Sequence, residues 1–150
     1  MLKTIKFGIV ITLILFGINV NAQSEGSKSE IKEITETLMN YIDGTANGDL
    51  NKLRKAFHPD FNLYSVTKED SLRVWKGEDY IVGIEQGKKS NRIGRIISID
   101  FENDAAIAKA EILVPNWRVF TDYFLLLKYE GSWKIVHKSY TWRDIPKKDE

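Results

Sequence analysis

Apolar residues first settle into a helical rhythm near residue 31. Ile31, Ile34, Leu38, Tyr41 and Ile42 fall on one stripe, which predicts a helix over 30–43. Ser29 is placed to cap it and Gly44 to end it. After a Thr45-Ala46-Asn47-Gly48 loop, Asp49 is a good N-cap for a short helix reaching Phe57, with Leu50 and Leu53 on its apolar side. His58-Pro59-Asp60 stops that helix, because proline keeps the preceding residue out of helical conformation. A first strand is expected over 61–67, then a polar stretch containing Trp75, then a third helix over 78–88 carrying Tyr80, Ile81 and Ile84. From there the rhythm changes to alternation. Four strands are read over 92–102, 105–114, 118–129 and 132–142, with Asn103-Asp104 and Glu130-Gly131 as two-residue turns.

Those turns assign faces. If Tyr129 opposes Ser132, then Leu126 opposes Ile135, Phe124 opposes His137, Asp122 opposes Ser139 and Phe120 opposes Thr141. These positions share one face, taken as the inner one. Across the other turn, Ile97, Ile99 and Phe101 oppose Ala110, Ala108 and Ala106. A three-residue connection over 115–117 brings the alanines onto that same inner face. Small residues beside large ones leave room for a cavity. The opposite face carries Val119, Tyr123, Leu125, Leu127, Val136, Tyr140 and Trp142. One layer of helices cannot cover two apolar faces, so a homodimer through the outer face of the last strands is expected.

The N-terminus follows another logic. Lys3 and Lys6 precede an uncharged run from Phe7 to Ile18, and Val20-Asn21-Ala22 ends it on a small residue. This is the pattern of a signal peptide over 1–22, cut near Ala22, with the product exported to the periplasm or secreted. Residues 23–29 read as a flexible tail, 30–143 as the domain and 144–150 as a C-terminal tail. The apolar run is shorter than the roughly 20 residues a bilayer span needs, so no membrane span is expected after cleavage. Cleavage also changes the charge. Two lysines leave, so 22 basic residues against 21 acidic become 20 against 21, and the formal charge passes from +1 to −1. That balance argues against a dedicated nucleic-acid partner.

The 150 residues contain no cysteine and two histidines, which excludes disulfides and thiolate chemistry. No glycine-rich phosphate loop, nucleophile elbow or His-Glu-x-x-His occurs, so neither cofactor nor metal is expected. Asp122 and His137 sit diagonally across the last hairpin in the assumed register. They form the candidate acid–base pair, or else a structural hydrogen bond. Phe101, Phe120, Phe124 and Ser139 line the same inner face. Trp75, Tyr64 and Tyr80 are candidates for an aromatic rim. His58 either caps its helix or looks into the pocket mouth. Lys88, Lys89, Arg92 and Arg95 read as a solvated basic cluster.

Several of these segments together resemble the nuclear transport factor 2-like superfamily, which includes ketosteroid isomerase-like and polyketide cyclase-like proteins. The carriers include Tyr41-Ile42-Asp43-Gly44, Ala56-Phe57-His58-Pro59-Asp60, Phe120-Thr121-Asp122-Tyr123-Phe124 and Gly131-Ser132-Trp133-Lys134-Ile135-Val136-His137. Within it the chain is similar to the putative lumazine-binding family of small secreted bacterial domains. The resemblance implies an α+β cone, about three helices packed in a curved antiparallel sheet, with an open pocket and commonly a dimer. It suggests a small hydrophobic or flat heteroaromatic ligand. One scaffold hosts many activities, so three functions stand open. The first is a non-catalytic, exported small-molecule-binding domain. The second is a cofactor-independent isomerase or lyase using Asp122 and His137. The third is a dimeric protein-interaction module.

Overall fold

The computed structural model describes the backbone of residues 6–146 and the side chains of residues 26–146. The chain divides into two compact units, Met1–Lys32 and Glu33–Glu150. Residues 1–5 of the expected leader and 147–150 of the expected C-terminal tail lie outside the described residues.

Helix α1 spans Lys6–Asn47. It passes through residues 23–29, expected as a tail, and begins well before Ser29, so Ser29 is not its cap. It also runs through Gly44. That glycine is there for packing: a Cβ on it would lie 2.7 Å from Leu53 Cδ2. The helix ends one turn later, at Gly48, whose φ of +63° is the left-handed conformation glycine adopts freely. Helix α2 (Leu50–Ala56) starts as expected, with the Asp49 carboxylate accepting from the N–H groups of Asn51 and Lys52 at 3.1 Å each.

Strand β1 (Phe57–Val66) begins where helix was expected. Its parallel pairing with the last strand is irregular between Phe57 and Asn62, and Pro59 sits inside that break. A residue without an N–H fits where the ladder is interrupted. Strand β2 (Leu72–Lys76) was read from the sequence as a polar stretch. It is an exposed edge strand pairing β1, which is why no apolar alternation marks it. Helix α3 is shorter than expected, Gly77–Val82.

Strands β3 (Ile93–Glu102), β4 (Ala105–Val114), β5 (Arg118–Tyr129) and β6 (Ser132–Asp144) follow the expected meander. The sheet order is β2-β1-β6-β5-β4-β3. The sheet is mixed rather than antiparallel, because β6 returns beside β1 and runs parallel to it. The three-residue connection holds: Val114 pairs with Arg118, and Asn116 takes a φ of +62° after Pro115. It sets Ala106, Ala108 and Ala110 against Leu126, Phe124 and Asp122.

Two bulges revise the face assignment. Leu126 pairs with Ile135 as expected, but Leu125 pairs with His137, leaving Val136 as an extra residue on β6. Beyond that point the parity reverses. Lys138 opposes Phe124, Tyr140 opposes Asp122 and Trp142 opposes Phe120, all on the inner side. His137, Ser139 and Thr141 move to the outer side. A similar shift between Ile96 and Ser98 pairs Ile96, not Ile97, with Ala110. Bulges also bend the strand that carries them. Within the second unit, the core lies between the inner face and the helices. Ile34, Leu38 and Tyr41 of α1, Leu53 of α2 and Ile81 of α3 meet Phe57, Leu63, the three alanines, Leu126 and Trp133 there.

Candidate functional site

The inner face buries one acid and one base together. Asp122 on β5 and Lys138 on β6 are almost wholly buried, at 1% and 4% exposure. The Val136 bulge is what places Lys138 there. Tyr41 comes down from the apolar stripe of α1, and its hydroxyl joins the two. It donates to Asp122 Oδ2 at 2.6 Å and accepts from Lys138 Nζ at 2.8 Å. Lys138 Nζ also lies 3.3 Å from Asp122 Oδ1. The ammonium faces three aromatic rings, 4.8 Å from the Tyr41 centroid, 5.5 Å from Tyr80 and 4.9 Å from Tyr140. Burial first, and the Asp122 charge second, push the Tyr41 phenol well above its ordinary range, so it keeps its proton at neutral pH.

These side chains form the wall of a cavity of about 140 Å³. Leu63, Ile112, Phe120, Tyr80, Tyr140 and Arg92 complete it. The arrangement holds a fixed dipole and hydrogen-bonding hydroxyls against an apolar, aromatic lining. That is the usual composition of a small-molecule site. Among the described residues, no three His, Asp or Glu side chains converge as a metal site requires.

A larger open groove of about 410 Å³ runs over the outer face, where Ser98, Asp100, Lys109, Tyr123, His137 and Ser139 border it. Size alone would favour this groove over the cavity. The buried charged network favours the smaller cavity, because of the two it is the one whose wall holds charged groups in fixed geometry away from water.

The structure does not bring all the expected site residues together. Asp122, Phe120 and Tyr80 line the cavity. Phe124 is buried beside it, its ring edge-on to Tyr41 at 5.3 Å. Phe101 packs against Trp133 at 6.5 Å, away from the cavity wall. His137 and Ser139 face outward, and Tyr64 stacks on His137 at 4.8 Å. The expected Asp122–His137 pair therefore does not exist: the extra residue at Val136 puts the two on opposite sides of the sheet. Trp75 sits on the edge strand, paired with Leu63 and 41% exposed. His58 belongs to β1 and caps no helix. Its Nδ1 accepts from the Asp60 N–H and its ring meets Tyr129.

Sequence reasoning missed Tyr41, Lys138, Tyr140 and Arg92 as site residues. Tyr41 looked like one more core position of a helix, and Arg92 like part of a solvated cluster. A single signal was available: with Ile135 taken as inner, Lys138 is the one strand lysine that a bulge between them would turn inward.

A family model described as putative lumazine-binding matches residues 29–141. The chain is similar to a Cladobotryum protein named aldolase FrzH, 23% identical over 114 residues, covering 75% of this chain and 90% of that protein. Among solved structures it is similar to a nuclear transport factor 2-like protein of Shewanella baltica. The two share 28% identity with a TM-score of 0.68, over 77% of this chain and 94% of that one. A second such protein, from Methylobacillus flagellatus, is 29% identical with a TM-score of 0.67, over 77% and 93% of the two chains.

Proposed function

This chain belongs to the putative lumazine-binding family with a nuclear transport factor 2-like fold, and from that premise we propose that it is a small-molecule-binding domain whose ligand occupies the cavity above Asp122, Tyr41 and Lys138. One observation carries the reading. A lysine and an aspartate are buried together at a cavity wall. Such pairs rarely repay their desolvation through stability alone, and well-packed apolar residues often serve a core as well or better. A ligand that uses the fixed charges accounts for them.

The cavity also bounds the ligand. A void of roughly 150 Å³ holds one benzene ring, so a single ring fits within about 140 Å³. A bicyclic heteroaromatic would project from the mouth. In this proposal the protein is exported after removal of residues 1–22. The ligand is bound and released unchanged.

A thermal-shift screen of the full-length chain tests the reading, with flat heteroaromatics, steroids and hydroxy acids as probes. A stabilising compound is expected, with the shift abolished by Tyr140→Phe or Lys138→Met. No shift from any probe, or an equal shift in both variants, counts against it.

A second reading is catalytic. The short Tyr41–Asp122 hydrogen bond at the cavity wall supports it, as does the similarity to a protein named aldolase. Asp122 then takes a proton from the bound substrate, with Tyr41 holding the carboxylate. His137 has no part in it. Asp122→Asn should abolish turnover of hydroxy-carbonyl substrates with the far-UV circular dichroism unchanged. Retained turnover ends this reading.

For the outer face we propose a second copy of this chain as cover. Ile107, Tyr123, Leu125 and Leu127 are all more than 40% exposed there. Asp100 and Lys109, of opposite charge, border the same groove, an arrangement compatible with a self-complementary twofold contact.

A further inference from the structure

The charges around the cavity do not balance. Among its lining residues only Arg92, Asp122 and Lys138 carry charge. Tyr41 stays neutral, since burial and Asp122 both hold its proton on. Asp122 and Lys138 cancel each other at 3.3 Å. Arg92 is left over. It lies just before β3, half-buried, and among the described residues it has neither an ion-pair nor a hydrogen-bond partner. Its neighbour in sequence behaves differently: Arg95 donates to Glu111 Oε2 through Nε and through one terminal nitrogen, at 3.1 and 2.6 Å. The basic cluster is thus split, with one guanidinium satisfied on the outside and one unpaired at the cavity.

We propose that Arg92 is the specificity residue of the cavity and that the ligand is a small planar monoanion, a ring or unsaturated chain bearing one carboxylate. The proposal rests on the small-molecule reading given above. A guanidinium presents a planar fork that matches a carboxylate through two parallel N–H donors. A partly desolvated cation with no counter-charge favours an anion over a neutral molecule of the same shape. Tyr80, Tyr140 and Phe120 supply aromatic faces for the ring, and Leu63 and Ile112 supply apolar contact. The volume of about 140 Å³ limits the ring to one. One uncompensated positive charge sets the ligand charge at minus one.

Benzoate and benzamide test this, because they share a shape and differ in charge. Titration calorimetry with the full-length chain should give benzoate at least a tenfold advantage over benzamide. Arg92→Gln should remove that advantage, weakening benzoate at least tenfold more than benzamide. The melting temperature of the unliganded variant should stay close to that of the parent, since Arg92 holds no partner that its loss would orphan. Equal affinity for the two probes, or a preference that survives Arg92→Gln, overturns the inference and leaves the small-molecule reading standing. If neither probe binds, the inference falls, and if the wider screen is also silent the small-molecule reading falls with it.

Discussion

Tyr41, Asp122 and Lys138 form a unit in which each member satisfies the other two. Removing one partner leaves a buried charge alone. Asp122→Leu and Lys138→Met should each therefore cost about 3–5 kcal/mol. The double variant should cost clearly less than the sum, because the remaining charge goes too. Urea unfolding of the four proteins measures this, and additivity within about 0.5 kcal/mol would show that the pair is not coupled. Tyr41 adds a pH signature. Its folded phenol titrates well above the ordinary 10.0. The folded state therefore holds a proton that the unfolded state releases near pH 10. Its contribution is fully present below that pH and declines as the pH rises toward the folded value. Tyr41→Phe should cost about 1–3 kcal/mol at pH 8, and the gap to the parent should narrow between pH 10 and 11. A gap that does not change with pH refutes the assignment. None of this network was visible one residue at a time. A tyrosine on an apolar helical stripe and a lysine next to a histidine are both ordinary in sequence. Only their meeting makes them a site.

At the scale of elements, local chemistry was legible and interruptions were not. The Asp49 cap, the Glu130-Gly131 turn with φ values of +48° and +75°, and the three-residue link at Pro115 all follow from residue type. The bulges at Val136 and Ile97 do not, because alternation continues to look regular on both sides of an extra residue. Strand β2 escaped notice for a related reason. An edge strand with every residue exposed leaves no buried face to pattern. Gly48 marks another joint between elements. Its carbonyl accepts from the Gly87 N–H at 2.9 Å, and a Cβ there would lie 2.4 Å from Glu85 O. Gly48→Ala combines a left-handed φ with a collision against backbone. It should cost about 2 kcal/mol or more, read as a lower urea midpoint. Asp49→Ala, which loses only a cap, should cost about 1 kcal/mol. Equal costs for the two would mean that the close approach at Gly48 relaxes freely.

At the scale of the whole molecule, the surplus of apolar residues identified by alternation has two destinations. Part lines the cavity and part stays exposed on the outer face. The proposed dimer predicts a sedimentation mass of twice the chain at micromolar concentration. Leu125→Glu should halve it, with the far-UV spectrum unchanged. A parent that sediments as a monomer removes the dimer and leaves the cavity argument untouched. The mass of the chain recovered from the periplasm tests the leader: cleavage after Ala22 should remove residues 1–22, and an intact N-terminus contradicts export by that route.

The sequence by itself determined the three helices in order, the four strands of the final meander, the hairpin turns and the family, because these depend on residue type and on spacing within a few positions. The tertiary structure decided which polar residues meet. A single extra residue at Val136 carries Lys138 inward and His137 outward, and α1 then delivers Tyr41 from more than 80 positions away in the chain. Side-chain parity along a strand is a sum over every residue before it, so one bulge reverses all that follows. Local pattern holds no record of that sum until the strand is paired.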